Sequence, residues 1–209
     1  MEEFKQIKEQ NKVHFDNIKN IVSKYTDKPE GNCFWYHASF QEAEEFCTKQ
    51  FNIYYLGSIS DDIMEIGFNA GHSCLLMLIA NPKSNITIFD ICMHEYTLPC
   101  FEYINEQFPN RIKLIKGNSL ETVPDYKLKK FDLLHIDGYH EPSHVRQDIV
   151  NSRKLSKPNG IVILDDDNLP YLYTLHRELI EYDIVEIFND PNLVETKIYT
   201  HLVCKYKDI

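Results

Sequence analysis

The 209-residue sequence is short of basic residues. Only 22 Lys and Arg face 32 Asp and Glu, for a net charge of −10. Such a surface repels phosphate backbones and anionic lipid, so neither a nucleic acid nor a membrane is expected as a partner. The one small basic stretch, Lys127, Lys129 and Lys130, reads as a solvated loop. No apolar run approaches the roughly 18 residues of a membrane-spanning helix, and the N-terminus shows no charged-then-apolar signal segment. None of the six cysteines, Cys33, Cys47, Cys74, Cys92, Cys100 and Cys204, forms a C-x-x-C pair. That argues against a zinc ribbon or a disulfide framework and for buried free thiols in a reducing compartment. A cytoplasmic location is the expectation. Repeats and low-complexity tracts are also missing.

What remains is ordinary for a globular chain: 43% apolar and 26% charged residues. The length suits one domain, which needs no disulfide or structural metal to fold. Apolar residues at helical intervals, among them Phe4, Ile7, Phe15, Ile18 and Val22, predict one or two amphipathic helices over residues 2–24. Pro29 and Gly31 mark a loop. Ser39, with Glu42 three residues on, predicts a capping box and a helix through about residue 51. From Asp62 onward, β-rich runs at 63–66, 86–89, 112–115, 133–136 and 161–164 alternate with helical stretches at 71–80, 95–107, 142–155 and 170–181. That alternation implies right-handed βαβ units and a parallel sheet buried on both faces. The tail breaks it. Runs at 184–188 and 197–205 flank Asn189-Asp190-Pro191-Asn192 and read as a closing hairpin.

Two of the seven glycines, Gly67 and Gly71, fall in the loop that leaves the first strand, Glu65-Ile66-Gly67-Phe68-Asn69-Ala70-Gly71-His72-Ser73. Glycine there lets backbone approach a ligand closely. The G-x-x-x-G spacing is wider than the G-x-G-x-x-G of dinucleotide binders, and an acid precedes it. That suits a ligand with a positive centre and no phosphates better than a pyrophosphate. Asp90 ends the second strand, where an acid can bind ribose hydroxyls. Gly117-Asn118-Ser119 follows the third. Taken singly, each is also read as a plain turn or helix cap; together they mark the carboxyl ends of three successive strands.

The pattern Glu65-x-Gly67-x-x-x-Gly71-x-Ser73 resembles the first motif of class I S-adenosylmethionine-dependent methyltransferases. The resemblance covers roughly residues 62–205. It implies a Rossmann-like three-layer α/β sandwich with a seven-stranded, mostly parallel sheet, an antiparallel C-terminal hairpin and N-terminal helices outside the shared core. It also implies a cofactor site of Glu65, Gly67, Phe68, Asn69, Gly71, Ser73, Asp90, Asn118 and Ser119. The expected organisation is an N-terminal segment, residues 1–57, packing on a methyltransferase domain, residues 58–209. The segment is read as an anchor or as a lid.

Asp137-Gly138-Tyr139-His140 follows the fourth strand and Asp165-Asp166-Asp167-Asn168 the fifth. Carboxylates converging at adjacent strand ends repel, so a cation is expected between them, and all-oxygen ligands favour Mg²⁺ or Ca²⁺. The arrangement is similar to metal-dependent O-methyltransferases of the catechol and antibiotic-sugar types. That implies Asp137 with Asp166 and Asp167 as metal ligands, a one-residue shift to Asp165 and Asp166 staying open. The resemblance also makes His140 the general base, so Asp137 and His140 are the expected catalytic residues. As solvated turn and cap residues the same side chains would do nothing chemical.

His140-Glu141-Pro142-Ser143-His144 matches H-E-x-x-H formally, but its first His precedes the helix that Pro142 starts, which argues against a zinc protease. Asn168-Leu169-Pro170-Tyr171 resembles the Asn-Pro-Pro-Tyr motif of amino-methyltransferases but follows the wrong strand. Phe34-Trp35-Tyr36-His37 reads first as an anchor for the N-terminal helices and second as a substrate wall. His94 and Tyr96 are candidates for lining the cofactor's ribose or adenine, and His72 for a simple helix start. The resulting expectation is metal-assisted methyl transfer from S-adenosylmethionine to a hydroxyl of a small acceptor, with carbohydrate favoured. A noncatalytic cofactor-binding subunit and a hydroxylase-like tailoring enzyme are the alternatives.

Overall fold

The computed structural model describes residues 1–207. Two amphipathic helices open the chain, α1 (Glu2–Gln10) and α2 (Lys12–Val22), burying Phe4, Phe15, Ile18 and Val22. After a loop and a single 3-10 turn (Glu44–Phe46), α3 (Cys47–Ser58) leads into the sheet. The alternation then runs β1 (Asp62–Ile66), α4 (His72–Ala80), β2 (Asn85–Asp90), α5 (Thr97–Gln107), β3 (Ile112–Lys116), α6 (Ser119–Asp125), β4 (Phe131–Ile136), α7 (Pro142–Arg153), β5 (Ser156–Leu164) and α8 (Pro170–Glu181). The edge is closed by β6 (Val185–Ile187) and β7 (Leu202–Tyr206).

The seven strands lie in the order β3-β2-β1-β4-β5-β7-β6. Strands β1 to β5 are parallel, and β7 inserts antiparallel between β5 and β6. The order reverses between β1 and β4, which places the switch crevice beside the loops after those strands. Side chains alternate between two apolar layers. Ile63, Ile86, Leu133 and Ile163 face α1 to α5, while Met64, Phe89, Leu134 and Val162 face α6 to α8. The three-layer α/β sandwich expected from the sequence is present. Among the described residues, no helix is long and apolar enough to cross a membrane.

The N-terminal segment shares the first apolar layer. Phe34 and Trp35, each 2% exposed, join Phe4, Phe15, Ile53 and Leu56 there. Of the aromatic cluster, Phe34 and Trp35 pack there, while Tyr36 is half-buried and His37 exposed.

Three expectations are corrected. Ser39 does not start a helix. Its hydroxyl accepts from the Gln41 N–H, Glu42 pairs with Trp35 in an isolated bridge, and α3 begins only at Cys47. Tertiary pairing with Trp35 overrides the local capping signal. The closing strands do pair antiparallel, but no tight turn joins them, because β7 starts at Leu202 rather than near Lys197. The long connection, residues 188–201, is clamped by Asn52 of α3, which donates to the Val194 carbonyl at 2.8 Å and accepts from its N–H at 2.9 Å. Finally, the short helix α6 follows β3 where only a loop was expected.

Candidate active site

The loop from β1 to α4 is shaped by its glycines and by Asp90. Gly67 has φ +89°, and a Cβ there would lie 1.9 Å from the Asp137 carbonyl oxygen, so only glycine fits. Asp90 Oδ2 accepts the N–H groups of Phe68 at 2.6 Å and Asn69 at 3.2 Å, and Oδ1 accepts the Cys92 N–H at 2.5 Å. Its carboxylate, expected to meet ribose hydroxyls, here accepts backbone N–H groups and so fixes the loop. Asn69, in the left-handed region at φ +53°, donates to the Gly31 carbonyl and accepts from the Tyr96 hydroxyl. Tyr96 in turn stacks on His94 with ring centroids 5.0 Å apart.

A cavity of about 780 Å³ opens over this loop. One wall carries Gly67, Phe68, Asn69, Ser73, Asp90, Asn118 and Ser119. Glu30, Gly31, Asn32 and Cys33 of the N-terminal segment close one side, and Asp137, Tyr139, His140, Glu141, His144 and Tyr171 line another. Volume and position are those of a small-molecule site at a switch point. Asn118 also caps α6, its Oδ1 accepting the Leu120 N–H at 3.0 Å.

Two expected cofactor residues are not in the cavity wall. Gly71, with φ +85°, makes room for the Phe68 ring and Ile104, since a Cβ would lie 2.5 Å from the one and 2.6 Å from the other. Glu65 is fully buried beneath the loop. Its Oε1 accepts from the Ser73 hydroxyl at 2.5 Å and pairs with His135 Nδ1 at 3.1 Å. Its role here is to hold Ser73 and the strand ends from behind. His72 likewise sits at the start of α4 in an aromatic box with Phe15, Phe34 and Trp35. Burial pushes its imidazole down to about 3, so the ring is neutral.

The strand-end acids meet as the β4–β5 register requires. Ile136 pairs with Leu164, so Asp137 and Asp165 leave adjacent strands side by side. His140 Nε2 lies 3.3 Å from Asp137 Oδ1 and 3.1 Å from Asp166 Oδ2. The hydrogen bond to Asp137 outweighs desolvation, and the two carboxylates hold the imidazole up to about 9. Desolvation and then the charges of Asp165 and Asp166 raise Asp137 to about 6, against the pull of His140. Asp167 stands apart. His176 Nδ1 lies 2.9 Å from its carboxylate, and Arg177 donates to it at 2.8 Å. The register that gathers acids is therefore Asp165–Asp166, and Asp167 is not brought to Asp137.

Sequence reasoning missed two residues of this cluster. His135 lies in the apolar run of β4, between Glu65 and Asp165, its Nε2 3.6 Å from Asp165 Oδ2. Burial alone would depress its imidazole, but Asp165 and Glu65 raise it to about 10. A histidine inside an otherwise apolar strand was the available signal. Lys49, 4% exposed on α3, places Nζ 2.7 Å from Asp165 Oδ1 and 3.6 Å from Asp166 Oδ1. Nothing local distinguishes it from a solvated helix lysine.

The donor chemistry fits a divalent cation on one side only. Asp137, His140 and Asp166 each offer a ligand atom within 4.8 Å of the others, and Asp137 and His140 line the cavity. The inner trio His135, Asp137 and Asp165 also lies close together, but its histidine and Asp165 are already engaged with Glu65 and Lys49. The formal H-E-x-x-H match dissolves. Pro142 starts α7, Glu141 caps it by accepting the His144 N–H, and His140 precedes it.

The fold is the Rossmann-like α/β fold of methyltransferases. A family profile described as a methyltransferase domain matches residues 64–166. By sequence, the chain matches no curated protein. Among solved structures it is similar to an O-methyltransferase from Bacillus cereus in complex with SAH, with TM-score 0.61, 17% identity, and coverage of 92% of this chain and 89% of that one. It is similar to CalS11, a TDP-rhamnose 3′-O-methyltransferase of calicheamicin biosynthesis, with TM-score 0.59, 16% identity, and coverage of 79% and 82%. It also resembles an O-methyltransferase family protein from Burkholderia thailandensis, with TM-score 0.54 and 13% identity over 78% of this chain, but it spans only 55% of that protein.

Proposed function

We propose that the chain transfers the methyl group of S-adenosylmethionine to a hydroxyl of a small acceptor, a carbohydrate by preference. The observation that carries this reading is one cavity lined by the glycine loop and by Asp137 and His140, with Asp166 grouped beside those two. Gly67 lets the loop pack against the Asp137 carbonyl while lining the cavity, and Asp90 and Ser119 offer polar atoms for a cofactor's ribose and adenine. When bound, the cofactor supplies an electrophilic sulfonium methyl. Asp137 and Asp166, with His140 beside them, are the residues that would hold a divalent cation, which when bound supplies Lewis-acid polarisation of the acceptor hydroxyl.

The chain's own groups then divide the work. His140 Nε2 takes the hydroxyl proton, and Asp137 and Asp166 stabilise the imidazolium that results. The cavity walls hold donor and acceptor together, which converts a bimolecular encounter into an oriented one. Tyr139 and Tyr171, 68% and 46% exposed at the rim, offer ring faces to a sugar, and Glu141 offers it a hydrogen-bond acceptor. The TDP-rhamnose substrate of one structural relative favours the same acceptor class.

The test is calorimetry with S-adenosylhomocysteine, followed by a screen with labelled methyl donor over free sugars, nucleotide sugars and catechols, with and without Mg²⁺. Binding followed by methylation of a hydroxylated acceptor is expected. Absence of binding overturns the reading, and binding without turnover across the screen points to a noncatalytic subunit. Mg²⁺-independent turnover would remove the metal from it.

A further inference from the structure

The acidic ends of β4 and β5 are served by a cation that the chemistry above does not use. Lys49 belongs to α3, ahead of the matched domain core. Its side chain is 6% exposed and contributes nothing to the cavity wall. Its Nζ lies 2.7 Å from Asp165 Oδ1 and 3.6 Å from Asp166 Oδ1. Asp166 is therefore bracketed, with Lys49 on one oxygen and His140 Nε2 3.1 Å from the other. The Asp165 side chain is withdrawn from the cavity at 2% exposure, and its Oδ2 has no hydrogen-bond partner among the described residues. The carboxylates thus split into an inner Asp165, paired with Lys49 and His135, and an outer pair, Asp137 and Asp166, beside His140.

We propose that Lys49 is a positioning residue that sets the charge of the outer pair. It orients Asp166 toward His140, and its positive charge opposes any dication held by Asp137 and Asp166, so that the ion is bound loosely and exchangeably. The inference rests on the metal-assisted reading of the site. A fixed charge a few ångströms from a partly buried dication changes its binding by at least about tenfold, even at a high effective dielectric. Methionine has nearly the length of lysine, so Lys49→Met removes the charge while keeping much of the packing.

Mn²⁺ serves as the probe, titrated into the full chain by calorimetry and followed by the loss of its free electron-spin signal. The proteins are wild type, Lys49→Met, Asp165→Asn and the double variant. Lys49→Met is expected to bind Mn²⁺ at least about tenfold tighter. Asp165→Asn, which removes the nearer of the ammonium's two carboxylates, binds more weakly, and the double variant returns toward wild type. An Mn²⁺ affinity for Lys49→Met within about twofold of wild type, with only a lower melting temperature, makes the pair merely structural and overturns the proposal. If Lys49→Met does not fold, Asp165→Asn decides: weaker binding supports the proposal and unchanged binding overturns it. No Mn²⁺ binding by any of the four removes the metal-assisted reading and this inference with it. S-adenosylhomocysteine binding in the same samples reports on the cofactor site separately.

Discussion

At the residue scale, Gly67 and His140 give the sharpest expectations. Gly67→Ala must place a methyl 1.9 Å from the Asp137 carbonyl at a φ of +89°. It should destabilise the fold by more than the roughly 1 kcal/mol of an ordinary glycine effect and abolish S-adenosylhomocysteine binding, as denaturant melts and calorimetry would show. A variant that melts and binds like wild type contradicts the cradle. His140 acts as a base only when deprotonated, and in the metal-free protein its neighbours raise it to about 9. Histidine NMR on that form should show it titrating well above 6.5, and Mg²⁺ held by Asp137 and Asp166 should pull it down. His140→Ala should lower turnover by about 10²- to 10⁴-fold. Turnover left intact contradicts the base assignment. Gly67 and His140 were legible in the sequence because both sit at fixed spacings from strand ends. The register of the three-Asp run was not, since each Asp is equally plausible locally. Tertiary partners separate them: Lys49 and His135 hold Asp165, while His176 and Arg177 hold Asp167.

At the scale of elements, the alternating core was read with nearly correct limits because each strand is apolar on both faces and each helix is flanked by turn residues. Helix α8 has the bounds expected for it, Pro170 supplying its first turn. The N-terminal segment resisted for the opposite reason. Its course after α2 follows packing: Trp35 is 2% exposed, edge-on to His72 at 4.5 Å and to Phe40 at 5.0 Å. Trp35→Ala should cost about 3–5 kcal/mol and loosen residues 30–33 along the cavity. Denaturant unfolding with hydrogen exchange on that segment checks it. A loss below about 1 kcal/mol would show that the aromatic box does not hold the segment down.

At the scale of the whole molecule, buried histidines tie stability to pH in both directions. His135 is raised from 6.5 to about 10, so its contribution is complete below pH 6.5 and is lost as the pH rises through about 10. His72 and His201 are depressed by burial to about 3 and about 4, so theirs are complete above pH 6.5 and are lost as the pH falls through those values. Stability should peak near pH 6.5 and fall on both sides. Melting temperatures from pH 4 to 10 test this, and His135→Asn should shrink the alkaline limb, to which His140 and the buried thiols Cys33, Cys74, Cys100 and Cys204 also contribute. A curve flat from pH 6.5 to 10 would show that His135 is not held charged.

By itself the sequence determined the layered α/β architecture, the loop of Gly67 and Asp90, and the meeting of acids after β4 and β5. Periodicity and spacing are local, and parallel strand order brings their carboxyl ends to one edge. Tertiary structure alone decided that Glu65 supports the loop from beneath and that Asp166 rather than Asp167 faces His140. It also supplied the cation among those acids from a helix more than a hundred residues upstream in the chain, Lys49 against Asp165. Burial, charge pairing and close packing join residues distant in sequence, and no spacing along the chain records them.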